Sequence, residues 1–199
     1  MDKNLLQKAK APMIALIQKK NIVENKTKRA FALLLLLGLL MPLASQAFVG
    51  SGTETDPYLI RDVYELNDLM RDIKEYYDYE GDYFLVTNDI YCNWNEYNVW
   101  GTFKGNLDGG GHTISHFTVR GNAETGLFSK VEDASISNLI LNECAIYASQ
   151  STGGGIVGKA SNSVIENCEF HGAVTSYSNK GGIVGWLVSG SVINCRNYG

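Results

Sequence analysis

His112 and His116 are the first residues to weigh for chemistry, because two imidazoles four apart can share one metal when a helix carries them. Here they flank Ile114 in a stretch that reads as strand, where a spacing of four no longer brings side chains together. A zinc peptidase needs His-Glu-x-x-His on a helix, but His112, His116 and His171 are followed by Thr113, Phe117 and Gly172. No metal and no cofactor is expected. Acid–base hydrolysis of a glycan needs two carboxylates about 5–10 Å apart. Asp108, just before the turn Gly109-Gly110-Gly111, is the weak catalytic candidate, with Glu132, Asp133, Glu166 and Glu169 further on. The positions equivalent to Glu166 are Ser137 and Ile193, so no carboxylate recurs there, and solvated surface charge is the simpler reading. Gly153 to Ala160 nearly spells a phosphate-binding loop. Ala160 stands where a hydroxyl should hold magnesium, and no helix follows, so nucleotide binding is not expected.

The aromatic residues point elsewhere. Tyr76, Tyr77, Tyr79, Tyr83, Tyr91, Trp94, Tyr97 and Trp100 crowd together among acids and asparagines. Flat rings beside amides and carboxylates make a sugar-binding surface, with Trp94, Tyr97 and Trp100 as the candidate binding residues. Rings that merely close the end of a core would look the same in sequence.

Any such surface must be positioned by a repeat. The chain opens three similar lines at Gly126, Gly155 and Gly182, and each reaches an apolar residue, a spacer and an asparagine. These are Ile136-Ser137-Asn138, Ile165-Glu166-Asn167 and Val192-Ile193-Asn194. Spacings of about 29 and 27 residues indicate stacked units that cannot bury their apolar faces alone. Short β-branched strands and fixed glycines favour parallel strands coiled as a solenoid. Ile165 should face inward and Glu166 outward. Ahead of the array, Asp62 and Glu65 form a capping box for one helix, with Val63, Leu66, Met70, Ile73 and Tyr77 on its apolar face. That helix is expected to cover the first rung. Tyr58–Ile60 and Tyr83–Val86 read as strands, Asn93 to Gly101 as irregular, and Thr102 to Leu107 as one strand.

Of the 199 residues, 45% are hydrophobic, enough for a packed core, and the net charge is -4. Residues 1–47 hold eight Lys/Arg against Asp2 and Glu24. The rest is therefore acidic, with 9 Lys/Arg against 19 Asp/Glu and a net charge of about -10. Nucleic acid is not expected as a partner, because its phosphates need clustered Lys/Arg. Lys26, Lys28 and Arg29 precede an apolar run of about 15 residues, and Ala44-Ser45-Gln46-Ala47 supplies small residues for cleavage after Ala47. Residues 1–47 thus read as an export leader, touching the membrane only during export. The alternative is an anchor left uncleaved. Export would permit disulfides among Cys92, Cys144, Cys168 and Cys195. Cys168 and Cys195 fall at equivalent repeat positions about 4.8 Å apart, which favours stacked buried thiols over a bridge. Gly199 aligns with Gly172, so the last repeat is expected to be incomplete, the chain being either a truncated gene product or a piece whose open edge meets another chain.

Phe103-x-Gly105-x-Leu107-Asp108-Gly109-x-Gly111-His112-Thr113-Ile114 and the Gly-Gly-Ile-Val-Gly openings resemble bacterial proteins carrying the GLUG motif. The lead-in Gly52-Thr53-x-x-Asp56-Pro57-Tyr58-Leu59-Ile60, a helix and Thr87-Asn88-Asp89-Ile90 extend the resemblance over about residues 50–199. It implies an all-β, right-handed parallel β-helix on a secreted, periplasmic or cell-surface protein. That family also includes the N-terminal, non-catalytic part of immunoglobulin A-specific metallopeptidases. Within this frame, residues 48–82 are a lead-in strand and capping helix, and 83–199 the β-helix. The expected role is a scaffold or adhesion-type binding module for a glycan or a surface protein, without catalysis. Two alternatives stand beside it: a carbohydrate-active β-helix enzyme using acids near Asp108, and a non-catalytic fragment of a larger protease-like surface protein.

Overall fold

The computed structural model describes residues 48–199, so the expected leader lies outside the described residues. Residues 48–199 lie within one compact unit. After β1 (Tyr58–Ile60) and α1 (Val63–Lys74), the chain makes successive turns of a β-solenoid. The first holds β2 (Tyr83–Val86), β3 (Ile90–Asn98) and β4 (Thr102–Phe103). The second holds β5 (Asn106–Asp108), β6 (Thr113–Gly121) and β7 (Phe128–Glu132). The third holds β8 (Ser135–Ser137), β9 (Ile140–Ala148), β10 (Gly153–Gly154) and β11 (Val157–Ser161). The fourth holds β12 (Ser163–Glu166), β13 (Glu169–Ser176), β14 (Lys180–Gly181) and β15 (Val184–Leu187), and β16 (Gly190–Ile193) and β17 (Arg196–Asn197) lie on the next.

Every pairing between these strands is parallel. They stack into a six-stranded sheet (β1-β2-β5-β8-β12-β16), a five-stranded sheet (β3-β6-β9-β13-β17) and a four-stranded sheet (β4-β7-β11-β15), with β10 and β14 as a small pair. The fold is the parallel β-solenoid that the repeat implies. In the first sheet Phe84, Leu107, Ile136 and Ile165 are in register and buried, while Asp108, Ser137, Glu166 and Ile193 form the outward column. The second sheet contributes Ile90, Ile114, Leu141 and Phe170 to the interior, and the third Phe103, Val131 and Ala160.

The repeat residues are the corners. Asn138, Asn167 and Asn194, which turn the chain from the first sheet into the second, have φ of 53°, 52° and 51°. This left-handed region is one that asparagine enters at less cost than most residues. Their backbones also bond between turns: Asn138 N–H donates to Glu166 O (3.1 Å) and Asn167 N–H to Ile193 O (2.9 Å). The opening glycines answer a different need. A Cβ on Gly155 would lie 2.0 Å from Gly182 O and 2.4 Å from the Phe170 ring, so the turns could not close with any side chain there. The loop that resembles a phosphate cradle is therefore a packing corner between β10 and β11, with a strand after it.

Helix α1 starts where its cap predicts, but the reciprocal bond differs. Asp62 Oδ1 accepts from Tyr64 N (2.9 Å) and Glu65 N (3.0 Å). Glu65 reaches back one residue further than a capping box requires, accepting from Arg61 N (2.6 Å) and pairing with its guanidinium. Leu66, Leu69, Met70 and Ile73 are the buried face, whereas Tyr77 lies past the helix end and is exposed, because the chain turns at Tyr76 (φ 78°). The helix packs against β3, the outermost strand of the second sheet: Tyr97 Oη donates to Asn67 Oδ1 (2.8 Å) and Trp100 Nε1 to Lys74 O (3.0 Å). Asn93 to Asn98, expected to be irregular, belongs to β3, and Thr102 to Leu107 is split by the corner Lys104-Gly105.

All four cysteines are free thiols, with Cys92, Cys144 and Cys168 buried and Cys195 only partly covered. Burial pushes the thiols of Cys144 and Cys168 up to about 12. At pH 8 a thiol reagent should modify Cys195 first and reach the other three only after denaturation. Four equally fast thiols, or a disulfide found by mass, would contradict this packing. Ile165 is fully buried between Ile136 and Val192. Ile165→Asp should cost on the order of 3–5 kcal/mol, a large part of a typical domain's stability. Thermal unfolding unchanged from the parent protein would show that the column does not face the core.

Candidate functional site

Side-chain chemistry concentrates on the outer face of the second sheet, whose strands β3, β6 and β9 are the longest of the solenoid. That sheet carries a stacked irregularity. The register skips from Tyr91 to Asn95 in β3, and the residues between the paired flanks of β6 and β9 are His116 and Glu143. Asn93, Trp94, His116 and Glu143 all take left-handed φ (49°, 60°, 60° and 47°). For a bulky side chain this backbone costs on the order of 1–2 kcal/mol. A bulge thus stacks on a bulge, and each re-aims its side chain outward. In β13 the extra residue is gone, and the register shifts between His171 and Gly172.

The result is a cluster. His116 Nε2 lies 2.9 Å from Glu143 Oε2, and its ring is 4.5 Å from that of Tyr91 and 5.0 Å, edge-on, from that of Trp94. Tyr91 and Trp94 are more than half exposed. His116 Nδ1 is buried without a hydrogen-bond partner. His112 points to another neighbour, Asp89 Oδ1, at 3.3 Å, so the two histidines serve different turns. Among the described residues no three His, Cys, Asp or Glu side chains gather as a metal site.

A second feature lies where β3 leaves the sheet. A cleft of ≈ 320 Å³ is lined by Asn98, Trp100, Arg120, Asn122, Tyr147 and Ser149. Asn98, Arg120 and Tyr147 occupy one outward column of the second sheet. Lys74 Nζ stands 4.4 Å over the Trp100 ring, and the Arg120 guanidinium 4.4 Å over that of Tyr147. Arg120 Nε donates to Glu96 Oε2 at 2.9 Å.

Of the residues the sequence nominates, Trp94 and Trp100 are exposed on this face, in the cluster and the cleft respectively. Tyr97 is mainly a packing residue, 8% exposed, although it also borders a pocket with Asn67, Lys74 and Asn95. It alternates inward from β3, its ring packs edge-on against Phe117 at 6.0 Å, and burial raises its hydroxyl's pKa above the ordinary value. Tyr79 likewise packs on Phe48, Tyr58 and Phe84 at the end of the core. Asp108 is committed to its turn: Oδ1 accepts from Gly110 N (2.8 Å) and from Asn138 Nδ2 (2.9 Å) on the next turn. It borders a shallow groove on the first sheet that Glu54 also lines. Arg120 and Tyr147 were not singled out in the sequence, and His116 was weighed there only as a metal ligand. Strand register brings them beside residues 22 or more positions away, and only the two-residue alternation around Tyr147 hints at its outward aim.

Comparison with known proteins gives one motif match and two further similarities. Residues 149–175, from the end of β9 through β13, match the family Glug, described as the GLUG motif. Halomucin of Haloquadratum walsbyi is 34% identical over 94 residues, which is 46% of this chain and 1% of halomucin. The chain therefore spans about one hundredth of the length of that relative. A crystal structure of a putative immunoglobulin A1 protease from Bacteroides ovatus aligns over 74% of this chain and 77% of its own, with 16% identity and a TM-score of 0.29. The matched segment holds the Gly155 opening and the Ile165-Glu166-Asn167 corner, which the structure shows to be one turn of the solenoid, and that turn carries the GLUG motif.

Proposed function

We propose that this chain is an exported binding module, a rigid β-solenoid that holds a glycan or a surface protein on its outer face and performs no catalysis. Export is read from the basic and apolar character of residues 1–47. The observation that carries the binding role is the immobilised, exposed rings on one face. Trp94 is held at a left-handed bulge against the His116 ring and Trp100 is tethered by its indole N–H, yet 58% and 44% of their surfaces stay exposed. Rigid rings beside Asn93, Asn98 and Asn122 offer stacking and hydrogen bonding with little ordering cost, which is what recognition of a sugar requires. A solenoid suits this work because its inter-turn hydrogen bonds fix neighbouring side chains at a constant spacing.

The enzyme alternative needs Asp108 together with a second carboxylate, and its best partner is Glu54 at the rim of the same groove. The two readings separate on one preparation. The purified protein is screened for binding to plant, host and bacterial glycans and glycoproteins, and the same mixtures are analysed for cleavage with and without calcium. Binding without turnover is expected, reduced tenfold or more in the Trp94→Ala/Trp100→Ala double variant while its melting temperature stays unchanged. Reproducible cleavage that disappears in Asp108→Ala would replace this proposal with the enzyme reading, and failure to bind anything in the panel would also overturn it.

A further inference from the structure

We infer that the cleft between Trp100 and Tyr147 is a subsite for a carboxylated sugar ring, a hexuronate-type unit of an acidic glycan. This rests on the glycan-binding reading above and adds to it the ligand's charge and the place where it binds.

Three observations point there. The first is preorganisation. Trp100 is fixed by its indole hydrogen bond to Lys74 O, and Lys74 Nζ covers the ring at 4.4 Å. The following residue, Gly101, has φ 103°, and a Cβ there would fall 2.3 Å from Ile73 O, so the main chain beside Trp100 is clamped against the helix. A ring held this firmly loses little entropy when a ligand stacks on it. The second is the pairing of aromatic walls with a polar rim. Trp100 and Tyr147 bound a space of ≈ 320 Å³ whose remaining lining includes Asn98, Asn122 and Ser149. That volume is near the lower end of the ~300–1,000 Å³ typical of small-molecule sites. A pyranose has one face of C–H bonds and an equatorial belt of hydroxyls, which such a site matches with rings and amides respectively.

The third observation selects charge. Arg120 is held to Glu96 through Nε alone, and Nη1 and Nη2 have no partner among the described residues. The guanidinium lies over Tyr147 at the cleft, so it presents the end that binds a carboxylate in two parallel hydrogen bonds. Lys74 Nζ touches the Trp100 ring from outside the cleft lining, so Arg120 is the cation that lines it. Its free Nη groups stand out on a body whose net charge is about -10. A long polyanion of any kind is repelled by that acidic body beyond the cleft, so the fit is to one charged sugar unit at Arg120.

The test uses trigalacturonate as the probe and the uncharged galactose trimer of the same linkage as its control. Calorimetric titrations are run on the parent protein and on Arg120→Gln, Trp100→Ala and Tyr147→Ala, with Trp186→Ala, an exposed ring on β15 of the third sheet, as a variant outside the cleft. All are exposed enough that folding should survive, and thermal melts verify it. The expected result is saturable binding of trigalacturonate that weakens with added salt, at least tenfold tighter than the uncharged trimer. Arg120→Gln should abolish the preference for charge. Trp100→Ala and Tyr147→Ala should weaken both sugars tenfold or more, and Trp186→Ala should change neither. Equal affinity for the two trimers, or charge preference retained in Arg120→Gln, overturns the inference. If the protein binds other glycans but no hexuronate, or binds hexuronate unaffected by the cleft variants, the subsite is wrong and the broader binding role stands.

Discussion

The structure depends on the hydrogen bonds that run from each turn of the chain to the next. Parallel strands set neighbouring turns about 4.8 Å apart, so the side chain at any phase of the coil lies directly against its equivalents above and below. Whatever is buried must then be acceptable beside a near copy of itself. The inner column Phe84, Leu107, Ile136 and Ile165 satisfies this with bulky apolar groups. The corners satisfy it with residues chosen for backbone shape: asparagine near φ +52° at Asn138, Asn167 and Asn194, and glycine at 155, where a Cβ would meet the carbonyl of Gly182. A repeat that looks like a motif for binding phosphate is thus explained by the space between turns.

Strict stacking leaves little room for chemistry, and the surface gains its special features where stacking is broken. The left-handed residues Asn93, Trp94, His116 and Glu143 form a seam across the second sheet, each opposite an irregularity in its neighbour. No single turn could hold such a bulge at low cost, but adjacent turns that bulge together keep their flanking pairs in register. The seam ends at β13, where the register shift restores a continuous strand. The aromatic cluster is confined to the helix-bearing end for that reason.

Helix α1 has two roles that share the same contacts. Its apolar face, Leu66, Leu69, Met70 and Ile73, closes the core beside β3, where a further strand would otherwise pair. Its last turn supplies the carbonyl and the ammonium that hold Trp100. Covering the edge and fixing the ring are therefore one packing event, and the cleft is as rigid as the junction between helix and solenoid.

Much of the fold was legible in the residues before any coordinates. Glycines and asparagines recur at one phase, and apolar residues precede each asparagine by two, so period, strand direction of burial and corner positions all follow from backbone sterics and alternation. The capping residue Asp62 and most of the helix face were equally plain, because those interactions are local. Tyr97 could not be placed as a core residue from its neighbours, since its aim depends on a bulge two residues earlier that shifts the inward and outward alternation of β3. Nor could the sequence bring Arg120 to Tyr147, or Lys74 to Trp100, because those pairs form between residues 26 or more positions apart only after turns are stacked and the helix is docked. Repetition is written in the chain because each unit obeys the same local rules. The proposed binding face was decided by tertiary structure because register, which no single unit contains, determines which side chains meet.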